Sequence, residues 1–261
     1  MLPSSATTAR TSLPPPGRSW APNGGPAGPP ARLLELLLDN FPGQDAALAA
    51  ERRRVAPPDA VERLAKHHVP QAARVIATAL ADDPGYSHLM PDPGRRVGEL
   101  TALYRMTLAD TVDHGLGFVT TLGTVVTGAL AIYPPGTYPM PLARWARAGG
   151  RVVRLAALAR EHSPGLIRFG QLTAPGVPTH SWYVEAAGVR PDLQLAGRGT
   201  ALIEAALALV DEAGEESYLE TTKPANVAYY ERFGYASIRE PVPLSPGGPS
   251  IFPMLRAARR S

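Results

Sequence analysis

Residues 180–210, HSWYVEAAGVRPDLQLAGRGTALIEAALALV, decide the fold that this sequence predicts. Residues 180–189 form a short stretch rich in aromatic and β-branched side chains, which is typical of a β-strand. Gly188 near its end indicates a bulge or a close backbone approach, and a turn follows at Pro191. Residues 201–210 contain neither Gly nor Pro and consist mainly of strong helix formers. The local order is therefore strand, glycine-bearing loop and helix.

Two glycines, Gly197 and Gly199, precede the predicted helix. The first N–H groups of a helix have no intrahelical partner, and the helix dipole places partial positive charge there. Because glycine has no Cβ, an anion can approach the backbone between Leu195 and Thr200. The loop therefore predicts a phosphate or pyrophosphate site, with a simple tight turn as the alternative. Leu202 stands where a dinucleotide fingerprint has its third glycine, and no Gly-Lys-Ser/Thr occurs, so both better-known phosphate motifs are excluded.

A second pattern lies downstream of this loop. Residues 217–221, SYLET, read as a strand. Residues 226–235, NVAYYERFGY, read as a short helix closed by a glycine in the C′ position, Gly234. The two patterns occur in a fixed order and at a suitable separation, which makes their combination more specific than either pattern alone.

Together the two patterns resemble the acetyl-coenzyme-A-binding core of the GNAT superfamily of N-acetyltransferases. The family signature Gln/Arg-x-x-Gly-x-Gly/Ala is met by Gln194, Gly197 and Gly199. The later family pattern Asn-x-x-x-Tyr-x-x-x-Gly-Phe/Tyr is met by Asn226, Tyr230, Gly234 and Tyr235. One departure is Leu195, where many members have glycine, and this change removes some backbone freedom.

The resemblance implies an α/β fold with a central mixed, mostly antiparallel sheet, flanked by helices and splayed between its fourth and fifth strands. It also implies acetyl-CoA as co-substrate, with the pyrophosphate on the glycine loop and the pantetheine arm along the preceding strand. The residues implied in acetyl-CoA binding are Ala187, Gly188, Val189, Gln194, Leu195, Ala196, Gly197, Arg198, Gly199, Thr200 and Asn226. For Asn226, capping of its helix is the alternative role.

Acetyl transfer to an amine requires a neutral amine and a proton for the departing thiolate. By resemblance, Tyr230 is the general acid, and a phenol with a pKa of about 10 suits a thiol leaving group; ordinary packing is the alternative. Glu185 and Glu220 are candidate bases, acting through water, because they lie on the two splayed strands. A solvated or hydrogen-bonded carboxylate is the alternative for each. Strict alternation places Glu185 on one strand face with Tyr183 and Ala187.

The family builds its acceptor site from the first two helices and the central insertion. The resemblance therefore makes Tyr86, His88 and Trp182 predicted wall residues of that site. Trp145 is a further candidate, with core or interface packing as its alternative. His88 and His180 are also possible bases, although a structural role is more usual for a lone histidine. The histidines lack metal-ligand spacing, so we expect no metal site.

The chain has 261 residues, a formal net charge of +3 and no cysteine. The lack of cysteine excludes disulfides, thiolate metal sites and a cysteine nucleophile. The first residues lack a continuous apolar run, and the apolar stretch 33–38 is too short for a membrane span. We therefore expect a cytoplasmic protein that is not membrane-bound. The basic runs 52–54 and 259–260 lack interleaved aromatic residues, so nucleic-acid binding is not expected.

Composition divides the chain into three parts. Residues 1–30 are rich in Pro, Gly and Ser and predict a disordered tail, residues 31–56 predict a helical extension, and residues 57–261 predict the acetyltransferase domain. In that domain we predict strands at 60–65, 117–121, 125–132 and 251–255, helices at 70–81, 95–114 and 142–160, and loops at 82–93, 133–140 and 241–249. One solvated helix face is predicted for Arg144, Arg147, Arg151 and Arg154.

Three functions remain open on this interpretation. The first is acetyl transfer to the amine of a small molecule, such as an antibiotic or an amino-acid-like compound. The second keeps the fold but uses a protein or peptide amine, and the third is a CoA-binding sensor without turnover. A closed apolar pocket favours the first function, whereas an open acidic groove favours the second. Both a monomer and a homodimer are compatible with the sequence.

Overall fold

The computed structural model describes residues 60–259. The predicted tail, residues 1–30, and the predicted helical extension, residues 31–56, lie outside the described residues, as do residues 57–59 and 260–261. Within residues 60–259, every helix falls short of the length and apolar character that a bilayer span requires. Residues 60–259 make up nearly all of the predicted acetyltransferase domain, residues 57–261.

One mixed sheet runs through the described part of the chain. Its strands are β1 (Ala60–Arg63), β2 (Leu116–Leu122), β3 (Val125–Tyr133), β4 (Ser181–Val189), β5 (Glu216–Thr221), β6 (Ala236–Ser237), β7 (Val242–Pro243) and β8 (Ser250–Arg256). Their order is β1-β2-β3-β4-β5-β8-β6, with β7 paired to β8. Every pair is antiparallel except β4–β5, which is parallel. The predicted mixed, mostly antiparallel sheet is confirmed.

Helices flank this sheet and fill a long connection between β3 and β4. They are α1 (Val69–Ala79), α2 (Pro84–Leu89), α3 (Pro93–His114), α4 (Leu142–Arg147), α5 (Gly149–Ala159), α6 (Ser163–Thr173), α7 (Arg198–Ala213) and α8 (Pro224–Glu231). Short 3-10 turns lie at Arg160–His162, Ala174–Gly176 and Pro191–Leu193. We call residues 134–180, which contain α4, α5 and α6, the insertion.

The parallel strands β4 and β5 separate partway along their length. Their pairing begins at Ser181 and ends where Val184 meets Leu219. Strand β4 continues to Val189 and stays paired with β3, whereas β5 continues to Thr221 beside β8. The edge of β4 beyond Val184 therefore faces a gap, which is the splay predicted between the fourth and fifth strands.

Each face of the sheet carries its own apolar core. Helix α7 packs on one face, where Leu202 joins Trp182 of β4. Helices α1 and α3 pack on the other face, where Ile76 and Leu100 are fully buried. Gly188 permits this packing, because a Cβ at that position would lie 2.9 Å from the Cα of Ile76. The predicted close backbone approach at Gly188 is confirmed, and the bulge in β4 lies elsewhere.

Three segments differ from the prediction, and one of them is the predicted loop 241–249, which contains the two-residue strand β7. The predicted loop 82–93 contains helix α2, because Asp83 caps it and Pro84 occupies its first turn. The single helix predicted at 142–160 is two helices, α4 and α5, which meet next to Gly149 and are followed by the unpredicted α6. A Gly-Gly pair is a poor helix interior, which accounts for the break at this point.

The insertion is tied to α3 by a buried ion pair. Arg144 of α4 donates to Asp110 of α3, and both side chains are less than one-tenth exposed. Tyr133 at the end of β3 also donates to Asp110, at 2.8 Å. The prediction that Arg144 belongs to a solvated arginine face is therefore wrong, whereas Arg147, Arg151 and Arg154 are exposed as predicted.

Candidate active site

The glycine loop leads into α7 as the sequence predicts. Gly197 is the N-cap residue of the helix and has a left-handed backbone with a φ of 77°, which glycine adopts without strain. Leu195 also has a positive φ, 64°, although it carries a side chain. The first helical hydrogen bond joins the N–H of Ala201 to the carbonyl of Gly197 at 2.9 Å. The N–H groups of the preceding turn therefore have no acceptor within the helix.

The loop has room for an anion. A Cβ on Gly197 would meet no atom within 4 Å, whereas a Cβ on Gly199 would lie 3.1 Å from the hydroxyl of Tyr229. The side-chain amide of Gln194 donates to the carbonyl of Val189 at 3.3 Å, which ties the loop to the end of β4. Backbone N–H groups at a helix N-terminus, with no side chain over them, fit a diphosphate.

The other residues predicted for acetyl-CoA binding surround this loop. Ala196 and Thr200 are partly buried in the loop and the first turn of α7, and the Arg198 side chain is fully buried beneath them. The segment 187–189 pairs with β3 on one edge and faces the splay on the other. Its main chain is therefore placed where an extended arm could pair along it.

Asn226 lies on the far side of the splay. Its side-chain amide donates to the Thr221 hydroxyl at 3.2 Å, which also accepts from the N–H of Lys223 at 3.2 Å. Helix α8 begins at Pro224, so Asn226 is inside its first turn and does not cap it. These two hydrogen bonds stabilise the short connection between β5 and α8, the helix that carries Tyr230.

A cavity of about 670 Å³ opens beside the splay. The sheet, α2, α3, the insertion and α8 all contribute to its wall, which is mostly apolar. Its aromatic and acidic wall residues are Tyr86, Tyr104, Tyr133, Tyr138, Trp145, Phe169, Tyr183, Tyr230, Asp83, Glu185 and Glu220. The cavity therefore brings together all three predicted catalytic residues, which come from three different elements of the fold.

Tyr230 projects from α8 toward this cavity. Its ring packs edge-on against Tyr229 at 5.2 Å and against Tyr235 at 5.9 Å, measured between ring centroids. Burial, and to a smaller extent the neighbouring tyrosines and Asp83, raises the pKa of Tyr230 above its ordinary value. The phenol therefore keeps its proton throughout the neutral pH range, as a general acid must before it reacts.

Glu220 lies near the end of β5, and the Tyr218 hydroxyl and Arg239 partly offset the burial of its carboxylate. Its Oε1 accepts a hydrogen bond from the Tyr218 hydroxyl at 2.6 Å. Burial raises the pKa of Glu220 to about 7, although the hydrogen bond from Tyr218 and the charge of Arg239 oppose this shift. Its Oε2 is buried and has no hydrogen-bond partner within residues 60–259.

Glu185 lies across the splay on β4. Burial raises its pKa to about 8, the Tyr183 hydroxyl lowers it, and the charges of Glu220 and Asp110 raise it further. Like Glu220, it has a buried Oε2 without a hydrogen-bond partner in the described part of the chain. Near neutral pH this carboxyl group is protonated in the free protein, and a bound cation would favour its ionised form.

Glu185 does not follow the predicted alternation. The register between β3 and β4 shifts at this point, and beyond it Ala186 packs in the core beside α1 and α3, whereas Ala187 packs on the α7 side. The prediction that Glu185 shares a face with Ala187 is therefore wrong, because an inserted residue reverses the alternation downstream of it. Its shared position with Tyr183 on the cavity wall agrees with the prediction.

The Glu185→Gln variant should change the dependence of stability on pH. Because the folded-state pKa of Glu185 is raised to about 8, its contribution to stability is complete below the unfolded pKa of about 4.3 and is lost as pH rises toward 8. Glutamine mimics the protonated form and does not titrate. We expect its melting temperature at pH 9 to exceed that of the wild type by about 5 °C or more, with a smaller difference at pH 5.

This difference is measured by calorimetry across the pH range. Glu204→Gln is the matched control, because Glu204 is an exposed residue of α7. It should leave the pH profile of the wild type unchanged. Parallel profiles for the wild type and Glu185→Gln would contradict the buried, unpaired state of this carboxyl group.

Of the three residues predicted to form the wall of the acceptor site, one lines the cavity and two do not. Tyr86 lines the cavity, and its hydroxyl lies 2.6 Å from that of Tyr104. Trp182 is not on the wall, since it is buried on the α7 face and donates to Glu215 at 2.6 Å. His88 is exposed and bonds to Ser245 at 3.0 Å, so it too lies outside the lining.

Other residues near the cavity escaped the sequence interpretation. Asp83 caps α2, accepts from the N–H of Tyr86 at 3.3 Å and also accepts from the Thr222 hydroxyl, which fixes Tyr86 beside the β5–α8 connection. The Asp-Pro pair before α2 is a helix-start signal that could have identified it. Arg239 near Glu220 had no such signal, because it follows a short strand in a loop. His180 pairs with Glu216 at 3.1 Å on the surface, away from the cavity.

Within residues 60–259, no group of three or more His, Asp or Glu side chains could hold a metal ion.

Residues 110–235 match the model of the acetyltransferase (GNAT) family. This segment runs from the C-terminal part of α3 to the residue before β6, so it includes the glycine loop, both splayed strands and α8.

Solved structures that are similar to this chain include acetyltransferases. One is a histone acetyltransferase HPA2 and related acetyltransferase from Corynebacterium glutamicum, with 20% identity, a TM-score of 0.57, and 77% of this chain and 97% of that chain covered. A polyamine N-acetyltransferase from Drosophila melanogaster has 17% identity and a TM-score of 0.44, over 76% of this chain and 98% of that chain. The ribosomal-protein-S18-alanine N-acetyltransferase from Escherichia coli has 14% identity and a TM-score of 0.42, over 77% and 94%. At these identities the first likeness establishes the fold alone.

Proposed function

We propose that this acyltransferase, whose residues 110–235 match the GNAT family, moves an acetyl group from acetyl-CoA to the amine of a small molecule. The observation that carries the proposal is the shared cavity beside the splay, where Tyr230, Glu185 and Glu220 lie on one mostly apolar wall. Tyr230 acts as general acid, and one of the two carboxylates receives a proton from the amine.

The glycine loop supports the choice of acetyl-CoA. The N–H groups between Leu195 and Thr200 would hold the diphosphate, and the bare approach at Gly197 leaves space for it. The main chain of residues 187–189 would align the pantetheine arm along the splay. When bound, acetyl-CoA supplies an activated acetyl group as a thioester. The other groups in the proposed chemistry, apart from the amine, are main-chain and side-chain groups of this protein.

The protein groups divide the proton transfers between them. Tyr230 holds a proton near the splay and would donate it to the departing sulfur. Burial raises the pKa of Glu220 to about 7, so part of this carboxyl group is ionised near neutral pH and can accept a proton. Glu185, whose pKa is raised to about 8, becomes a proton acceptor once a bound ammonium ion favours its ionised form. The mostly apolar cavity wall would lower the local dielectric constant around the reacting groups when substrates fill the cavity, which strengthens the electrostatic interactions among them.

The form of the cavity favours a small acceptor over a protein. Its volume of about 670 Å³ lies in the range of ordinary small-molecule sites. Side chains from α4, α5 and α6 line the side of the cavity opposite the sheet. A peptide acceptor would need an open acidic groove in that place. Residues 219–221 and the pattern Val189-x-Pro191-x-x-Gln194 also resemble puromycin N-acetyltransferase, but the acceptor-facing half of the chain diverges from it, so this resemblance does not specify the amine.

The test is the release of thiol from acetyl-CoA by the full-length protein with a panel of amines. We expect turnover with at least one small amine and none with unstructured peptides that offer an N-terminus or a lysine. Turnover with peptides alone would favour the protein-amine function. Calorimetric binding of acetyl-CoA without turnover on either panel would favour a sensor, and no binding at all would remove the assignment.

A further inference from the structure

Glu185 is the residue that a β-bulge adds to the cavity wall. The register between β3 and β4 shifts between Ala131 and Ile132, and Glu185 is the residue of β4 left without a partner. A bulge re-aims a side chain and locally disrupts the ladder. Here it lies next to Val184, the last residue of β4 that pairs with β5. The bulge therefore places a carboxylate in the cavity at the mouth of the splay.

The carboxyl groups near this cavity are not equally compensated. Asp110 has its ion pair with Arg144, and Glu220 has Arg239 close by, since both approach the position of a Cβ on Gly176 to within about 3 Å. Glu185 has the Tyr183 hydroxyl beside it, and the charges that shift its pKa, those of Glu220 and Asp110, are both negative.

One buried carboxylate oxygen of Glu185 is available to a ligand. Its Oε2 has no hydrogen-bond partner in the described chain, and such buried polar atoms are uncommon because they lose their hydration without replacement. Aromatic rings, whose faces attract cations, share the wall with it. They belong to Tyr86, Tyr104, Tyr138, Phe169, Tyr183 and Tyr230. A cation with a large apolar body satisfies both the carboxylate and the rings.

We propose that the acceptor is a bulky apolar amine with a single positive charge, and that its ammonium group pairs with Glu185 inside the cavity. This inference rests on the proposed function and specifies its acceptor class. A polyamine is a poorer match, because the other two carboxylates of the wall already have partners. Glu220 has Arg239 close by, and Asp83 accepts hydrogen bonds from the first turn of α2 and from the Thr222 hydroxyl.

The same pairing gives Glu185 the role of proton acceptor. One proton passes from the ammonium to Glu185, and the neutral nitrogen then forms a bond to the acetyl carbon while the carbon–sulfur bond breaks. Tyr230 gives its proton to the sulfur and regains one from the nitrogen. The nitrogen loses two protons in all, so that the products are an amide, a thiol and one proton released through Glu185.

The test is calorimetric titration of the full-length protein, without CoA, with matched pairs of an amine and its alcohol. Suitable pairs are phenylethylamine with phenylethanol and tryptamine with tryptophol, and spermidine serves as the polyamine. We expect at least one amine to bind about tenfold or more tightly than its alcohol, which corresponds to one good charged contact. Glu185→Gln should remove this preference, whereas Glu216→Gln, a surface carboxylate paired with His180, should keep it. Equal affinities within every pair, or tightest binding of spermidine, would overturn the proposal.

Proton release distinguishes ion pairing from a merely structural role. The titratable groups whose electrostatic interactions include Glu185 are Tyr86, Tyr104, Tyr133, Tyr138, Tyr183, Asp110 and Glu220. At pH 7 an ammonium ion that ionises Glu185 should release about one proton, so the binding heat should vary with the ionisation enthalpy of the buffer. In Glu185→Gln this variation should vanish. A persistent variation in that variant would exclude Glu185 as the source.

The outcomes separate this inference from the proposed function. Thiol release with spermidine but with none of the single-charge amines would overturn the acceptor class and leave acetyl transfer intact. No binding of acetyl-CoA would remove the proposed function, and the titrations without CoA would still report on the Glu185 site. Thiol release and Glu185-dependent amine binding together would support both.

Discussion

The Gly197→Glu variant is expected to lose detectable CoA binding. The new carboxylate would extend from the N-cap of α7. A Cβ on Gly197 would meet no atom within 4 Å, so this space is open in the wild type. It would compete with a diphosphate for the same N–H groups and repel its charge. It would also force a side chain into a left-handed backbone with a φ of 77°. Calorimetry with CoA and with acetyl-CoA measures the loss.

Gly214→Glu is the matched control for this variant. Gly214 is the C-cap residue of the same helix and has a φ of 64°, and a Cβ on it would likewise meet no atom within 4 Å. The control should therefore suffer the same backbone strain while retaining CoA affinity. Normal affinity in Gly197→Glu, or equal losses in the two variants, would contradict the binding site at the glycine loop.

The Tyr230→Phe variant is expected to lower turnover at least about tenfold, and about a hundredfold if the phenol contributes as much as general acids usually do. The substitution removes the proton that burial keeps on the phenol and leaves the ring and its packing in place. CoA affinity should change little, because the glycine loop and β4 are untouched. Steady-state thiol release gives the turnover, and calorimetry gives the affinity.

Tyr235→Phe provides the comparison for Tyr230→Phe. Tyr235 lies 5.9 Å from Tyr230 between ring centroids, and its hydroxyl is 2.6 Å from that of Ser217 in the core. Its loss should lower the free energy of unfolding by about 1 kcal/mol and leave turnover of the folded enzyme unchanged. Unchanged turnover in Tyr230→Phe would remove Tyr230 from the mechanism.

The elements proposed to bind acetyl-CoA could be predicted from sequence because their signals are local. The glycine loop, the two strands around the splay and the helix that carries Tyr230 each depend on a few neighbouring residues. The bulge at Glu185 could not be predicted, since it is defined by the register with β3, a strand more than fifty residues earlier in the chain.

The acceptor half was harder to predict. Trp182 and Tyr183 are neighbours on a central strand, and both are buried, so composition does not distinguish the face that meets the cavity. Helix α6 begins with a Ser-Pro-Gly sequence that reads as a loop, although proline is well placed in the first turn of a helix. The arginine pattern of the insertion suggested a solvated face, because the partner of Arg144, Asp110, lies in a separate helix.

The insertion leaves the sheet after Tyr133 and returns to pair Tyr183 directly with it. Its two ends are therefore anchored side by side on neighbouring strands, β3 and β4. On the proposed function, mutations in residues 134–180 would change the cavity wall while the glycine loop and the start of α7 stay unchanged. Under that proposal, such modularity would let one scaffold acquire new acceptors during evolution while its donor site is kept.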